Sequence, residues 1–286
     1  MTILRLRGRE FRPDEFAIMA VVNRTPDSFF DRGRTYGFEA ALEAVDGAVR
    51  GGADIVDIGG VKAGPGDEVD PAEEIRRVAD LVAAVRDRYP DLIISVDTWR
   101  AEVGEVVAAA GADLLNDTWG GVDPALARVA ADHGLGLVCA HAGRVAPRTR
   151  PHRIAYDDVV ADVIGYTTEL AERAAAAGVP RESILIDPAH DFGKNTYHSL
   201  EVSRRLGEMT ATGWPVLVAV SNKDFVGETL GGLPVDERHA GTMATLAVSA
   251  WQGARVFRVH DAASARTALA AVARLRGLSE ERTTVA

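Results

Sequence analysis

The sequence predicts a single (β/α)8 barrel, the TIM-barrel class, with residues 1–286 forming one domain. Three observations predict it. Short apolar runs recur eight times along the 286 residues, helix-length amphipathic segments separate them in strict alternation, and no linker or shift of composition divides the chain. Alternating strands and helices imply parallel strands joined by right-handed crossovers. Eight such units are best explained by a closed barrel. An open doubly wound sheet is the competing arrangement. It would need a glycine-rich phosphate fingerprint after its first strand, where this chain has Asn23-Arg24-Thr25-Pro26.

The apolar runs are FAIMAVV (16–22), DIVDIGG (54–60), LIISVD (92–97), ADLLND (112–117), LGLVCAH (135–141), ILIDP (184–188), VLVAVS (216–221) and RVFRVH (255–260). They are crowded with apolar and β-branched residues and lack period-two alternation, as strands buried on both faces do. Helices are expected over 38–50, 71–89, 99–110, 124–133, 157–177, 198–211, 235–252 and 262–276. Asp70-Pro71 and Asp123-Pro124 supply a cap followed by a first-turn proline, and Gly134 and Gly178 supply ends.

Hydrophobic residues make up 47% of the chain and charged residues 26%, enough for a large core under a wet surface. The net charge of −10 and a pI near 5.2 argue against a nucleic-acid partner. The single cysteine, Cys139, allows no intrachain disulfide and reads as a small core residue. MTILRLRGREF lacks the apolar stretch of a signal peptide, and no run approaches the roughly 18 apolar residues of a membrane span. A cytoplasmic protein is expected.

Barrel enzymes build their sites at strand C-termini. Here those ends deliver Asn23, Gly59-Gly60, Asp97, Asn116, His141, Asp187, Ser221 with Lys223, and Arg258 with His260. Burying an unpaired polar group costs roughly 2–7 kcal/mol, so a whole ring of them points to a ligand. Asp97, Asn116 and Asp187 offer acceptors and one amide donor, which suits a flat heterocycle presenting N–H groups. Lys223, Arg258 and His260 lie on the last two strands, where barrels commonly hold an anion.

At this point the residues resemble a known family. IMAVVNRTPDSFFDRG (18–33), ADIVDIGG (53–60), SVDTW, LNDTWGG, IDPAHDFGK, VSNKDFVGE and FRVHD follow, in order, the motifs of dihydropteroate synthases. The likeness covers about residues 16–275, and the chain looks most like the divergent second type found in actinobacteria. It implies a transferase joining 6-hydroxymethyl-7,8-dihydropterin diphosphate to 4-aminobenzoate with loss of diphosphate, assisted by Mg2+ carried mainly by the diphosphate. It further implies that Asp97, Asn116, Asp187, Lys223 and Arg258 hold the pterin. Asn23, Arg258 and His260 would meet the diphosphate, with Asn23 near the metal. Lys223, Arg258 and His260 would form the catalytic group, and Phe192 would face the aminobenzoate. A homodimer through the later helices is implied as well, with 241–251 as a candidate contact.

The chain also departs from the family pattern. Val61-Lys62-Ala63-Gly64-Pro65-Gly66 stands where the family has Glu-Ser-Thr-Arg-Pro-Gly, so a threonine becomes Ala63 and an arginine Gly64. Losing a neutral and a charged contact removes roughly 2–4.5 kcal/mol, about 30- to 2000-fold. Asp224 puts a negative charge where a family serine would meet the aminobenzoate carboxylate. His141 lies between alanines where the family usually has methionines. Lys62 is a candidate replacement cation on the acceptor side. Arg24, Arg32 and Arg34 enrich the first loop, and Arg144, Arg148, Arg150, His152 and Arg153 the fifth. The expected function is a retained pterin site with weak or no synthase activity. The alternatives are a working synthase, a transferase on another acceptor, or a non-catalytic pterin-binding protein.

Overall fold

The computed structural model describes residues 3–25, 33–149 and 154–278. Two short strands, β1 (Leu4–Leu6) and β2 (Arg9–Phe11), form an antiparallel hairpin. Eight parallel strands follow: β3 (Ala17–Asn23), β4 (Ile55–Gly59), β5 (Ile93–Asp97), β6 (Leu114–Asp117), β7 (Gly136–Ala140), β8 (Ile184–Asp187), β9 (Leu217–Val218) and β10 (Val256–Val259). Their order is β8-β7-β6-β5-β4-β3-β10-β9. A single parallel bridge, Ile186 to Val216, joins the two ends, with the Ile186 amide donating to the Pro215 carbonyl at 3.0 Å. The expected barrel is therefore present, closed at a thin seam between β8 and β9.

Helices surround it: α1 (Phe38–Arg50), α2 (Pro71–Arg88), α3 (Ala101–Ala110), α4 (Leu126–Asp132), α5 (Val159–Ala177), α6 (Thr196–Arg204), α7 (Leu206–Thr210), α8 (Asp224–Thr229), α9 (His239–Trp251) and α10 (Ala262–Leu275). Their starts follow local chemistry. Asp70 caps α2 by accepting from the Glu73 amide with Pro71 in the first turn, and Asp158 caps α5 through the Val160 and Ala161 amides. Asp123 accepts from the Ala125 amide beyond its own proline and also from the Ala101 amide of α3.

Three features depart from the sequence reading. The helix expected over 198–211 is two, α6 and α7, and α8 is an additional short helix. The hairpin was not foreseen. Its Leu4, Leu6 and Phe11 are buried in the cluster that fills the barrel, with Met19, Ile55, Ile93, Leu114, Leu185 and Val256. Their apolar side chains close the end of the barrel opposite the site.

Strand alternation places the polar layer. Side chains two apart share a face, so counting up from the inner apolar residues puts Asp57 above Ile55, Ser95 above Ile93, Asn116 above Leu114, Asp187 above Leu185 and Arg258 above Val256. One position further along, a side chain faces the helices. Cys139 accordingly packs, buried, in the cluster between sheet and helices. Among the described residues, no helix is long and apolar enough to cross a membrane.

Candidate functional site

Pairing register brings the first part of the site into one row. Asn23 is opposite Gly59, Gly59 opposite Asp97, and Asp97 opposite Asn116. Gly59 leaves room between its neighbours in this row: a Cβ there would lie 3.3 Å from Asn23 Oδ1 and 3.7 Å from Asp97 Cβ.

Below the row lies a buried hub that the sequence reading missed. Asp57 is 0% exposed. It accepts from Ser95 Oγ at 2.6 Å, Asn116 Nδ2 at 3.0 Å and Arg258 Nε at 2.6 Å. Arg258 also donates to Asp97 Oδ2 at 2.9 Å, and Thr118 Oγ1 donates to Asp97 Oδ1 at 2.9 Å. Burial pushes the Asp97 carboxyl up, against the opposing pull of Arg258. Asp187 is raised for the same reason, opposed chiefly by Lys223, and its carboxylate accepts from the Ala189 amide at 2.7 Å. Asn116 spends its amide N–H on Asp57, while its buried Oδ1 has no hydrogen-bond partner among the described residues. An unsatisfied buried acceptor costs about 1–3 kcal/mol, which an N–H donor on a ligand would offset.

A cavity of about 110 Å³ opens above this hub. It gathers Asn23, Lys62, Asp97, Phe192, Ser221, Lys223, Arg258 and His260, all singled out from sequence, with Ala63 and Gly64 of the divergent loop. Asn116 and Asp187 sit deeper, 2% and 5% exposed. The His260 ring is held by Ser221, whose Oγ lies 2.9 Å from Nδ1 and accepts from the His260 amide at 3.3 Å. The Lys223 ammonium donates to the His190 carbonyl and lies 4.6 Å from the centre of the Phe192 ring. Burial lowers its pKa to about 8.

Beside it is a second cavity of about 350 Å³, walled by Trp119 and Phe192, whose rings meet edge to face at 5.4 Å. Ala63, Gly64, Phe192 and Lys223 line both cavities. The wall between the two spaces therefore carries a methyl group and a hydrogen where the family pattern would bring a hydroxyl and a guanidinium. Asp224 lines the second cavity only, and its carboxylate pairs with Arg238 at 2.8 Å.

The loop after β8 shapes this side. Ala189 (φ +47°) and Asp191 (φ +67°) adopt the left-handed backbone that glycine prefers. Asp191 is held there by Ser199 Oγ and the Phe225 amide. Gly193 (φ +55°) has no alternative, since a Cβ would fall 2.5 Å from the Ala142 carbonyl.

Several expectations need correction. His141, one position beyond the inward-facing Ala140, points away from the mouth. Its Nε2 meets Asp162 of α5 at 2.7 Å and its Nδ1 meets Lys194 Nζ at 2.8 Å. The neighbouring loop buries His190, which is pinned by Ser203 at 3.0 Å and by stacking on Phe225. Arg24 donates to the Tyr36 and Arg77 carbonyls. Arg144 stacks on Tyr166, and Arg148 reaches the Gly64 and Asp67 carbonyls, tying the fifth loop to the second. These three arginines stabilise loops. Arg34, by contrast, lines a groove beside α1 that shares Asn23 and His260 with the mouth. Arg32, Arg150, His152 and Arg153 lie outside the described residues. Beyond Asp57, the sequence reading also missed Trp119 and the buried Lys194. Counting back two from Gly59 would have found Asp57; Trp119 and Lys194 carried no such signal.

Comparison with known proteins agrees with this geometry. A family model described as pterin binding enzyme matches residues 19–260. A Mycobacterium tuberculosis protein named inactive dihydropteroate synthase 2 is 55% identical, over 98% of this chain and 89% of its own. The dihydropteroate synthase of Streptococcus pyogenes is 35% identical over 91% of this chain and 95% of its own. The structure of Yersinia pestis dihydropteroate synthase in complex with a sulfonamide drug superposes with a TM-score of 0.90 at 34% identity, covering 97% of this chain and 100% of that one. An eight-stranded barrel with this polar mouth, matched along nearly its whole length, belongs to the dihydropteroate synthase family of pterin-binding enzymes.

Proposed function

We propose that this chain binds a pterin in the barrel mouth and performs the dihydropteroate synthase reaction weakly or not at all. One observation carries the reading. In the wall shared by the two cavities the second loop contributes only Ala63 and Gly64, beside Phe192 and Lys223, so the loop lacks the hydroxyl and guanidinium fork that would order a diphosphate against an acceptor amine. The 55% identity to a protein named inactive supports it.

In this reading Asp97 and Asp187 accept N–H groups of the pterin, and the unpaired Asn116 Oδ1 takes another. Asp57 acts through Arg258, fixing its guanidinium. Departure of diphosphate builds negative charge on the leaving oxygen, and fixed donors stabilise that charge most. Arg258, Lys223 and His260 are those donors, with Ser221 aligning the His260 ring. Among the described residues no three His, Cys, Asp or Glu side chains converge as a metal cage. The oxygen chemistry at the mouth, with Asn23 Oδ1, fits a Mg2+ ion that arrives on diphosphate, where it would help neutralise the leaving group. Lys62 lines the mouth and supplies a point charge without the fork of an arginine. We propose further that the chain forms a homodimer through α9 and α10, where Val248, Trp251 and Leu275 are 53%, 58% and 76% exposed.

Two assays on the purified chain test the main reading. Calorimetry with the dihydropterin diphosphate and Mg2+ should show binding, and addition of 4-aminobenzoate should yield little or no dihydropteroate. Turnover near or above about 1 s⁻¹ would overturn it.

A further inference from the structure

We propose that the cavity beside Phe192 selects a flat amine bearing a positive charge and rejects one bearing a carboxylate. The inference rests on the preceding reading only in placing an acceptor there. The edge-to-face pair of Trp119 and Phe192 gives a flat ring a slot to enter. The charges around that slot are directed unequally.

Lys194 is spent on the protein itself, and Lys223 in part. Lys194 Nζ meets His141 Nδ1 and the His141 carbonyl at 2.8 Å and the Phe192 carbonyl at 3.0 Å. Lys223 donates to the His190 carbonyl and covers Phe192. Three carboxylates, Asp191, Asp224 and Glu228, line the same space. Asp224 and Glu228 are one helical turn apart on α8 and exposed. Asp224 retains Arg238 as a partner and Glu228 accepts from Thr196.

An entering carboxylate needs N–H donors. The Phe225 amide, in the first turn of α8, is already taken by Asp191 Oδ2 at 3.2 Å. The incoming anion would also stand beside three like charges in a partly desolvated space, which disfavours it. A cationic ring meets the opposite situation: the indole of Trp119, which attracts cations, and carboxylates at the rim.

The test compares two probes that differ only at one end. Purified full chain is titrated calorimetrically with 4-aminobenzamidine and with 4-aminobenzoate. The amidine should bind at least about tenfold more tightly, and rising salt should erode the difference as screening predicts. In an Asp224→Asn/Glu228→Gln double variant with an unchanged circular dichroism spectrum, the preference should fall several-fold. Equal affinities, a preference for the benzoate, binding of neither probe, or a preference untouched by the variant would each overturn the proposal. Pterin diphosphate is titrated separately. Failure there would end the pterin reading and leave the amine selectivity to stand or fall on its own measurement.

Discussion

Arg258 and Asp57 meet inside the barrel at 2.6 Å although 201 positions separate them in the chain. Asp57 is fully buried, and its other partners, Ser95 and Asn116, lie on two further strands. The pair therefore ties β4, β5, β6 and β10 together beneath the mouth. Breaking a buried pair from one side leaves the other charge uncompensated and costs about 3–5 kcal/mol. Asp57→Ala should lower unfolding stability by that order in a urea titration. An unchanged midpoint would mean that Asp97 alone satisfies Arg258.

Gly59→Ala should separate binding from stability. The glycine's backbone is outside the left-handed region, so the new methyl meets little strain, but it projects between Asn23 and Asp97. Pterin affinity should fall about tenfold or more, while the stability cost stays near the lower end of about 1–3 kcal/mol. Calorimetry and thermal denaturation of the same variant check the two halves.

Acidity should act on Asp97 with opposite signs in two measurements. Burial raises its carboxyl above the 3.8 of an ordinary aspartate. The ionised form accepts N–H donors, so pterin affinity should fall as pH drops through the raised value. The native pKa exceeds the unfolded one, so the native state takes up the proton first. The contribution of Asp97 to ligand-free stability then rises as pH falls toward 3.8. Asp97→Asn should flatten both profiles, as read by calorimetry and denaturation across the neutral to mildly acidic range.

Rebuilding the second loop should recover chemistry. An Ala63→Thr/Gly64→Arg variant restores a hydroxyl and a guanidinium to the wall shared by the cavities. Dihydropteroate formation should rise by roughly 30-fold or more over the parent chain. No gain would shift the cause of low activity to the acceptor side, where Asp191 and Asp224 sit.

Trp251→Asp should yield a monomer in light scattering if α9 and α10 form the dimer face. Trp251 is 58% exposed, so the single chain should remain folded.

The barrel was legible from sequence because its signals are periodic: apolar runs of strand length, caps at Asp70, and glycine at 178. Residues at strand ends, such as Asn23, Asp97 and Arg258, were legible because polarity at the end of an apolar run is conspicuous. Asp57 was hidden because it sits inside such a run, and its role follows only from alternation within the strand. His141 was misplaced by the same rule, one position past an inward-facing alanine. The hairpin escaped because three-residue strands carry almost no pattern. Trp119 and Lys194 take their places from loop packing, which depends on contacts such as Gly193 against Ala142 that a linear reading does not contain.

The thin seam between β8 and β9 has a consequence for motion. One bridge holds the wall shut there, so that joint is where breathing of the cylinder should concentrate and where amide protons should exchange first. Asp187 stands on one side of the joint, directly after Ile186, and Lys223 follows β9 on the other. A molecule gripping both would act as a stitch across the opening. Occupancy would then slow exchange on two strands at once, and the cylinder would be at its most rigid when it is full.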